Sequence, residues 1–251
     1  MRRYALRDDQ WERIKGWLPG REGHVGGTAK DNRLFVDAVI YRYRAGIAWR
    51  DLPERFGPWK SVWQRHDRWA KSGVFERIFT MLATDHDNEY MMLDATVVRA
   101  HQHSAGARKK NGGDQAIGRS RGGLTTKIHA LVDALGNPVA FSLTPGQASD
   151  LSQAEPLLEN VDPQAFLADK AYDADRLVLV LQQRGIKPVI PPKANRLVQR
   201  PCDFALYRER NLVERFFNKL KHFRAIATRY DKLARNFLAA VHLVGVIALL
   251  N

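Results

Sequence analysis

The sequence predicts an α/β fold, a mixed sheet flanked by helices, preceded by an all-α segment with a helix-turn-helix-like pattern. Three observations predict it. All six tryptophans fall between Trp11 and Trp69, so the composition changes near residues 70–90. Before that change, apolar residues recur at helical spacing; after it, β-type runs come first and then alternate with helical ones. Hydrophobic residues make up 45% of the chain, enough to bury a core in one large domain or two modest ones. The expected division is a helical domain at residues 1–88 and a sheet-containing domain at residues 89–251.

Taken in order, Asp8 and Asp9 can cap a first helix that carries Trp11, Ile14 and Trp17, and Pro19-Gly20 stop it. A Gly-rich loop follows. Residues 32–45 form a second helix with Leu34, Val36, Val39, Ile40 and Tyr43 as its apolar positions, ended by Gly46. The stretch AWRDLPERFG, a break at Gly57-Pro58 and then WKSVWQRHDRWAKSG read as short helix, turn and longer helix. In that pattern Lys60, Ser61, Gln64, Arg65 and Arg68 face a nucleic acid, and Val62, Trp63, His66 and Trp69 include the packing side. A plain helical bundle with a basic rim is the alternative.

Residues 91–98 read as a buried strand interrupted by Asp94, a charge that needs a partner there. Residues 101–123 are a loop rich in Gly, Ser, Arg and Lys. Residues 125–134 and 139–143, joined by Gly136-Asn137-Pro138, make a hairpin. A helix from Ser149-Asp150 carries Leu151, Ala154, Leu157 and Leu158. Residues 165–169 form a strand ending in Asp169, residues 174–184 a helix, and residues 188–190 a short strand. A basic, Pro-containing loop then leads to a helix from Tyr207, and the chain closes on a helix over residues 237–250.

The charge balance bounds the partners. A net charge of +13 and a pI near 10.1 imply a polyanion, with nucleic acid the first candidate. Packaging proteins of ribosomal or chromatin type share that charge but are shorter and poorer in aromatics. The single cysteine, Cys202, permits neither an internal disulfide nor a Cys-based zinc site, which fits a reducing, cytoplasmic setting. The first residues lack a signal-peptide core. The apolar stretch at residues 237–250 is short of the roughly 20 residues a membrane span needs, and His242 interrupts it, so it reads as a buried helix.

The stretch YRERNLVERFFNKLKHFR, residues 207–224, reads as one helix whose apolar stripe is Leu212, Phe216, Leu220 and Phe223. Tyr207, Arg210, Glu214 and Lys221 share another side of it. A lone carboxylate in a basic row fits a metal ligand beside a polyanion. It also fits an ordinary basic amphipathic helix in which Glu214 pairs with its neighbours.

The element order, three strands, helix, strand, helix, strand, helix, is the ribonuclease-H-like arrangement. Acidic groups on its first strand, on the strand after its first helix and on a later helix meet at one point; here these are Asp94, Asp169 and Glu214. Three carboxylates without a Cys–His set favour Mg²⁺ or Mn²⁺. Two such ions, roughly 3.5–4 Å apart, can activate a water or a 3′-hydroxyl and stabilise the leaving oxygen of an in-line displacement at phosphorus. In that scheme Asp94 bridges both ions, and Asp169 and Glu214 each complete one shell. Arg210, Lys221 and Lys170 then neutralise phosphate. Residues 193–235 hold twelve Lys or Arg against four acidic residues, a candidate phosphate track.

The spacing Tyr207-x-x-Arg210-x-x-x-Glu214-x-x-x-x-x-x-Lys221 resembles the signature of DDE transposases of bacterial insertion sequences. LDATVVRAHQHSAGARKK, GGLTTKIHALVDALGNP, LADKAYD and LVERFFNKLKHFRAIATRYDKL are similar to the insertion-sequence family numbered five, as is GIAWRDLPERFGPWKSVWQRHDRWAKSGVFERI at the N-terminal side. The likeness covers nearly the whole chain. It implies a ribonuclease-H-like catalytic domain, the metal-binding triad Asp94, Asp169 and Glu214, and N-terminal helices that read the element's terminal inverted repeats. It implies hydrolytic nicking at the element ends and attack of the freed 3′-hydroxyl on target DNA. The interval from Asp169 to Glu214 is too short for the large β-rich insertion of some relatives, and no tryptophan after Trp69 could serve as a base-flipping wedge. Lys109 and Lys110 read as loop contacts to phosphate, and His101, His103 and His129 as loop or packing residues rather than metal ligands. Holding two ends and one target together requires at least a dimer on DNA. A repressor with a decayed catalytic half and a stand-alone nuclease are the alternatives; the presence of all three acids argues against the first, and the N-terminal reader against the second.

Overall fold

The computed structural model describes residues 4–21, 23, 27–106 and 115–251. Helices α1 (Asp8–Ile14), α2 (Asn32–Ala45), α3 (Trp59–Lys71) and α4 (Val74–Leu82) come first. Strands β1 (Tyr90–Ala100), β2 (Gly118–Ser120), β3 (Gly123–Val132) and β4 (Pro138–Pro145) follow. Then come α5 (Ala154–Leu158), β5 (Ala165–Ala168), α6 (Asp175–Gln183), β6 (Lys187–Val189), α7 (Phe204–Tyr207), α8 (Asn211–Lys221), α9 (Arg224–Ala227) and α10 (Ala234–Leu249). No helix among the described residues is long and apolar enough to cross a membrane.

Two compact units divide the chain, and their segments alternate along it. One comprises Met1–Leu82, Ala100–Gln115 and Leu220–Asn251; the other comprises Ala83–Arg99 and Ala116–Lys219. The C-terminal helix thus belongs with the N-terminal helices, which sequence order could not reveal.

In the helical unit, α2 begins where the Asp31 carboxylate accepts the Leu34 amide at 2.8 Å, a cap worth about 1 kcal/mol. It ends on Gly46 at φ +74°, the left-handed conformation that glycine adopts without strain. Phe35, Trp69 and Phe75 pack edge to face, with centroids 4.7 Å and 5.5 Å apart. α10 packs on α3 and α4. Its Phe237, Ala240, Val241 and Val244 are buried, which accounts for its apolar composition. The residues expected as the short helix before α3 instead form two 3₁₀ turns, Trp49–Asp51 and Glu54–Phe56. Pro53 between them supplies no amide for a continuous α-helical ladder.

The sheet of the second unit runs β2-β3-β1-β5-β6, and β4 also pairs with β3. β3 is antiparallel to β1 and β4, whereas β5 is parallel to β1 and β6 to β5. This mixed sheet is the predicted ribonuclease-H-like order. Alternation sorts its faces. Met91, Leu93, Leu131, Phe166 and Ala168 join Leu157, Leu158, Leu177 and Leu181 of α5 and α6 in one core. The opposite face presents Phe141, stacked 5.7 Å from Phe216 of α8. Asp94, one residue beyond Leu93, belongs to that opposite face.

Candidate active site

Leu93 and Ala168 are registered partners on the parallel strands β1 and β5. The next residue on each strand is an aspartate. Neighbouring strands lie about 4.8 Å apart, so Asp94 and Asp169 are side-by-side neighbours whose side chains leave the same face. Each carboxylate is anchored by a nearby amide: Ala95 donates to Asp94 Oδ1 and Ala171 to Asp169 Oδ1, both at 2.8 Å. Asp169 thereby caps the 3₁₀ turn Lys170–Tyr172, which ends β5 and leaves Asp169 partly exposed.

The third acid comes from the helix over that face. Val213, Phe216 and Phe217 are buried, and Glu214, in the first turn of α8, is exposed. The stretch predicted as one helix has three parts: α7, a 3₁₀ turn at Arg208–Arg210, and α8, which ends at Lys221. Arg224 opens α9 instead of closing this helix. Positions three apart eclipse on a 3₁₀ turn, and Tyr207 and Arg210 accordingly meet, with the guanidinium 5.9 Å from the ring centroid.

Arg210 joins the acids. Its Nη1 lies 3.4 Å from Asp94 Oδ2 and 3.1 Å from Glu214 Oε1. The ion pair that an ordinary basic helix would offer Glu214 is therefore present, but one guanidinium also holds the half-buried strand aspartate. Burial raises the Asp94 pKa above the ordinary carboxylate value; Arg210 and the Ala95 amide oppose this, and Asp169 and Glu214 add to it. The Tyr207 phenol is likewise raised, first by burial, with Arg210 opposing and Asp169 and Asp94 contributing. These five groups share one electrostatic neighbourhood.

Among the described residues no three His, Cys, Asp or Glu side chains are grouped closely enough to hold one ion. Arg210 lies between two of the three carboxylates. The donor set nevertheless fits a hard divalent cation: all three groups offer oxygen, and two already converge on one positive charge.

The remaining predicted residues are dispersed. Lys170 is exposed beside Asp169, and Lys221 is exposed at the end of α8. On α3, Lys60, Ser61, Gln64 and Arg68 are exposed, whereas Arg65 is half-buried, its guanidinium 4.4 Å from the Phe35 ring and 4.8 Å from that of Trp69. Arg65 also bonds the Asn32 side chain, so it is a packing residue as well as a cation. Trp63, assigned by spacing to the packing side, is 40% exposed, because Val62, His66 and Trp69 fill the buried stripe. Lys109 and Lys110 lie outside the described residues. The candidate phosphate track at residues 193–235 is partly neutralised from within. Arg196 and Arg200 contact Asp173 at 2.7 Å and 2.8 Å and also pair with Asp175, and Arg229 is fully buried.

The sheet order, with neighbouring aspartates on β1 and β5, defines a ribonuclease-H-like protein. The chain belongs to the DDE transposase family: residues 86–250 match the family described as "Transposase DDE domain". Residues 6–79 match "Putative transposase of IS4/5 family". A putative transposase for insertion sequence element IS6501 of Brucella ovis is 42% identical over 123 residues, 48% of this chain and 94% of that protein. A putative transposase for insertion sequence element IS402 of Burkholderia cepacia is 32% identical over 134 residues, 49% of this chain and 60% of that protein. Among solved structures, the piggyBac transposase synaptic complex with hairpin DNA overlays at a TM-score of 0.44 with 12% identity. That match covers 75% of this chain and about half, 48%, of the piggyBac chain.

Proposed function

We propose that this chain binds the terminal inverted repeats of its own insertion sequence and catalyses divalent-metal-dependent strand cleavage and strand transfer into target DNA. The observation that carries the reading is the side-by-side placement of Asp94 and Asp169, with Glu214 reaching the same electrostatic neighbourhood from α8. Asp94, Asp169 and Glu214 would hold two Mg²⁺ or Mn²⁺ ions. When bound, such ions lower the pKa of an attacking hydroxyl and stabilise the oxygen that leaves phosphorus.

The protein's own groups supply positioning. The amides of Ala95 and Ala171 fix one oxygen of each aspartate, and the second oxygen of Asp94 faces Arg210. Partial burial reduces the screening of Asp94 by water. Arg210, Lys170 and Lys221 offer positive charge to phosphate around the acids, and the Tyr207 hydroxyl offers a hydrogen-bond donor. At a distance along the chain, Lys60 and Arg68 of α3 supply exposed cations for a DNA reader, with Arg65 bracing that helix against α2. Two element ends processed together call for at least two copies on DNA.

Incubation with Mg²⁺ and a short DNA element bounded by its own inverted repeats tests this. The expected products are 3′-end cleavage and joining to a second DNA, both lost in Asp94→Ala, Asp169→Ala and Glu214→Ala. Cleavage without joining would identify a nuclease. Repeat binding without cleavage would identify a regulator.

A further inference from the structure

We propose that Arg210 is the resident counter-ion of the carboxylate site: it holds Asp94 and Glu214 while no divalent ion is bound, and it leaves them when one binds. The freed guanidinium is then available to a DNA phosphate, so metal loading and DNA engagement are coupled through one side chain. This rests on the reading of Asp94 and Glu214 as metal ligands.

Three observations carry it. First, Arg210 Nη1 is within hydrogen-bond reach of Asp94 Oδ2 and of Glu214 Oε1. An ion ligated by those oxygens at about 2.1 Å would need the space this nitrogen fills, so the two cations exclude each other. Second, a guanidinium stays protonated at every pH a protein survives, so it vacates the site only by moving. Third, its tether is light. Its hydrogen bonds among the described residues go to those two carboxylates, and its buried Nε has no partner. Glu214 is 61% exposed on the outer side of the pair, which leaves a route for the guanidinium toward solvent or a bound phosphate. Asp169 is bonded to its own turn and not to Arg210, so the resident cation spans two acids and leaves the third for the ion to recruit.

Mn²⁺ binding to the full DNA-free chain, followed by calorimetry and by the Mn²⁺-induced rise in melting temperature, tests the proposal. Arg210→Gln should bind Mn²⁺ about tenfold more tightly than the parent chain, because a neighbouring unit charge no longer competes. Its melting temperature should rise more on adding Mn²⁺. Arg210→Met supplies the same comparison if the Gln variant does not fold, and Asp94→Asn in the Arg210→Gln background should erase the gain. Equal or weaker binding by the Arg210 variants overturns the proposal while leaving the metal reading intact. Failure of both parent and variants to bind Mn²⁺ overturns the proposal together with the metal reading. A gain that survives Asp94→Asn places the ion elsewhere and overturns the proposal as well.

Discussion

Asp94 on β1 and Asp169 just past the end of β5 each lie one residue beyond Leu93 and Ala168, the registered pair of these parallel strands. Parallel register brings the two residues side by side, Asp94 within β1 and Asp169 in the cap of the turn that follows β5. Groups held in this way act as a unit. Asp94→Asn and Asp169→Asn are each expected to lower strand cleavage by roughly 10²–10³-fold, and the double variant should be little worse than either. Single-turnover cleavage of an inverted-repeat duplex measures this, with circular dichroism confirming the fold; strictly multiplicative losses would mean the two aspartates work independently.

Arg42 and Asp231 form a buried ion pair in the helical unit, at 3.3 Å with side chains 3% and 7% exposed. The Tyr43 hydroxyl donates to the same carboxylate oxygen at 3.1 Å, and the guanidinium lies 4.4 Å from the Tyr43 ring and 4.9 Å from that of Trp49. Asp231→Ala leaves an uncompensated buried charge and should cost about 3–5 kcal/mol in urea unfolding. A loss under about 1 kcal/mol would show that water reaches Arg42.

Burial lowers the pKa values of His66, His129 and His242 to about 4, from an ordinary value of 6.5. His66 sits among Tyr43, Trp49 and Phe75, and neither of its ring nitrogens has a hydrogen-bond partner among the described residues. These histidines are neutral in the folded chain. Between pH 6.5 and about 4 the unfolded chain binds more protons, so stability is full above pH 6.5 and falls as pH drops through that window. One such shift is worth up to about 3 kcal/mol. His66→Phe should flatten the fall in melting temperature between pH 6.5 and 4.5; an unchanged slope would mean His66 already titrates normally when folded.

Asp173 clamps the basic loop at residues 191–202. Its side chain is 1% exposed; it accepts the Lys193 amide at 2.8 Å and contacts Arg196 and Arg200. Burial alone would raise its pKa, but the Lys193 amide and Arg196 outweigh it and the net shift is downward. The clamp therefore persists above the ordinary value of 3.8 and is lost only as pH falls through the still lower folded value. Asp173→Ala should release the loop and speed tryptic cleavage after Arg196 and Arg200 about tenfold or more at neutral pH. An unchanged cleavage pattern would assign the loop's order to its prolines.

The fold class was legible because it rests on local pattern, apolar runs of β-type alternating with helical ones; the proposed acids were chosen by similar local cues, an Asp interrupting an apolar run at residue 94, an Asp ending one at residue 169, and offsets of three, four and seven around Glu214. What stayed hidden depends on contacts between distant residues. Within the polar stretch RYDKL, Arg229 is fully buried and Asp231 neutralises Arg42 far earlier in the chain. Arg196 and Arg200 look free for phosphate until Asp173 is placed beside them. β2 was missed because three residues of a Gly- and Arg-rich stretch gain strand character only by pairing with β3. Arg210 was read from its offset as a cation for phosphate, whereas the 3₁₀ turn that carries it brings its guanidinium to Asp94 and Glu214.

The most direct test of the metal-dependent transposase reading replaces one carboxylate by a softer ligand. Asp94→Cys presents a thiolate, which Mg²⁺ ligates poorly and Mn²⁺ tolerates better. Cleavage and joining of an inverted-repeat substrate by this variant should be undetectable with Mg²⁺ and measurably restored with Mn²⁺, while the parent chain works with both. Equal activity of the variant in the two metals, or full activity of the parent chain in excess chelator, would contradict the assignment of Asp94 as a ligand of a catalytic metal ion.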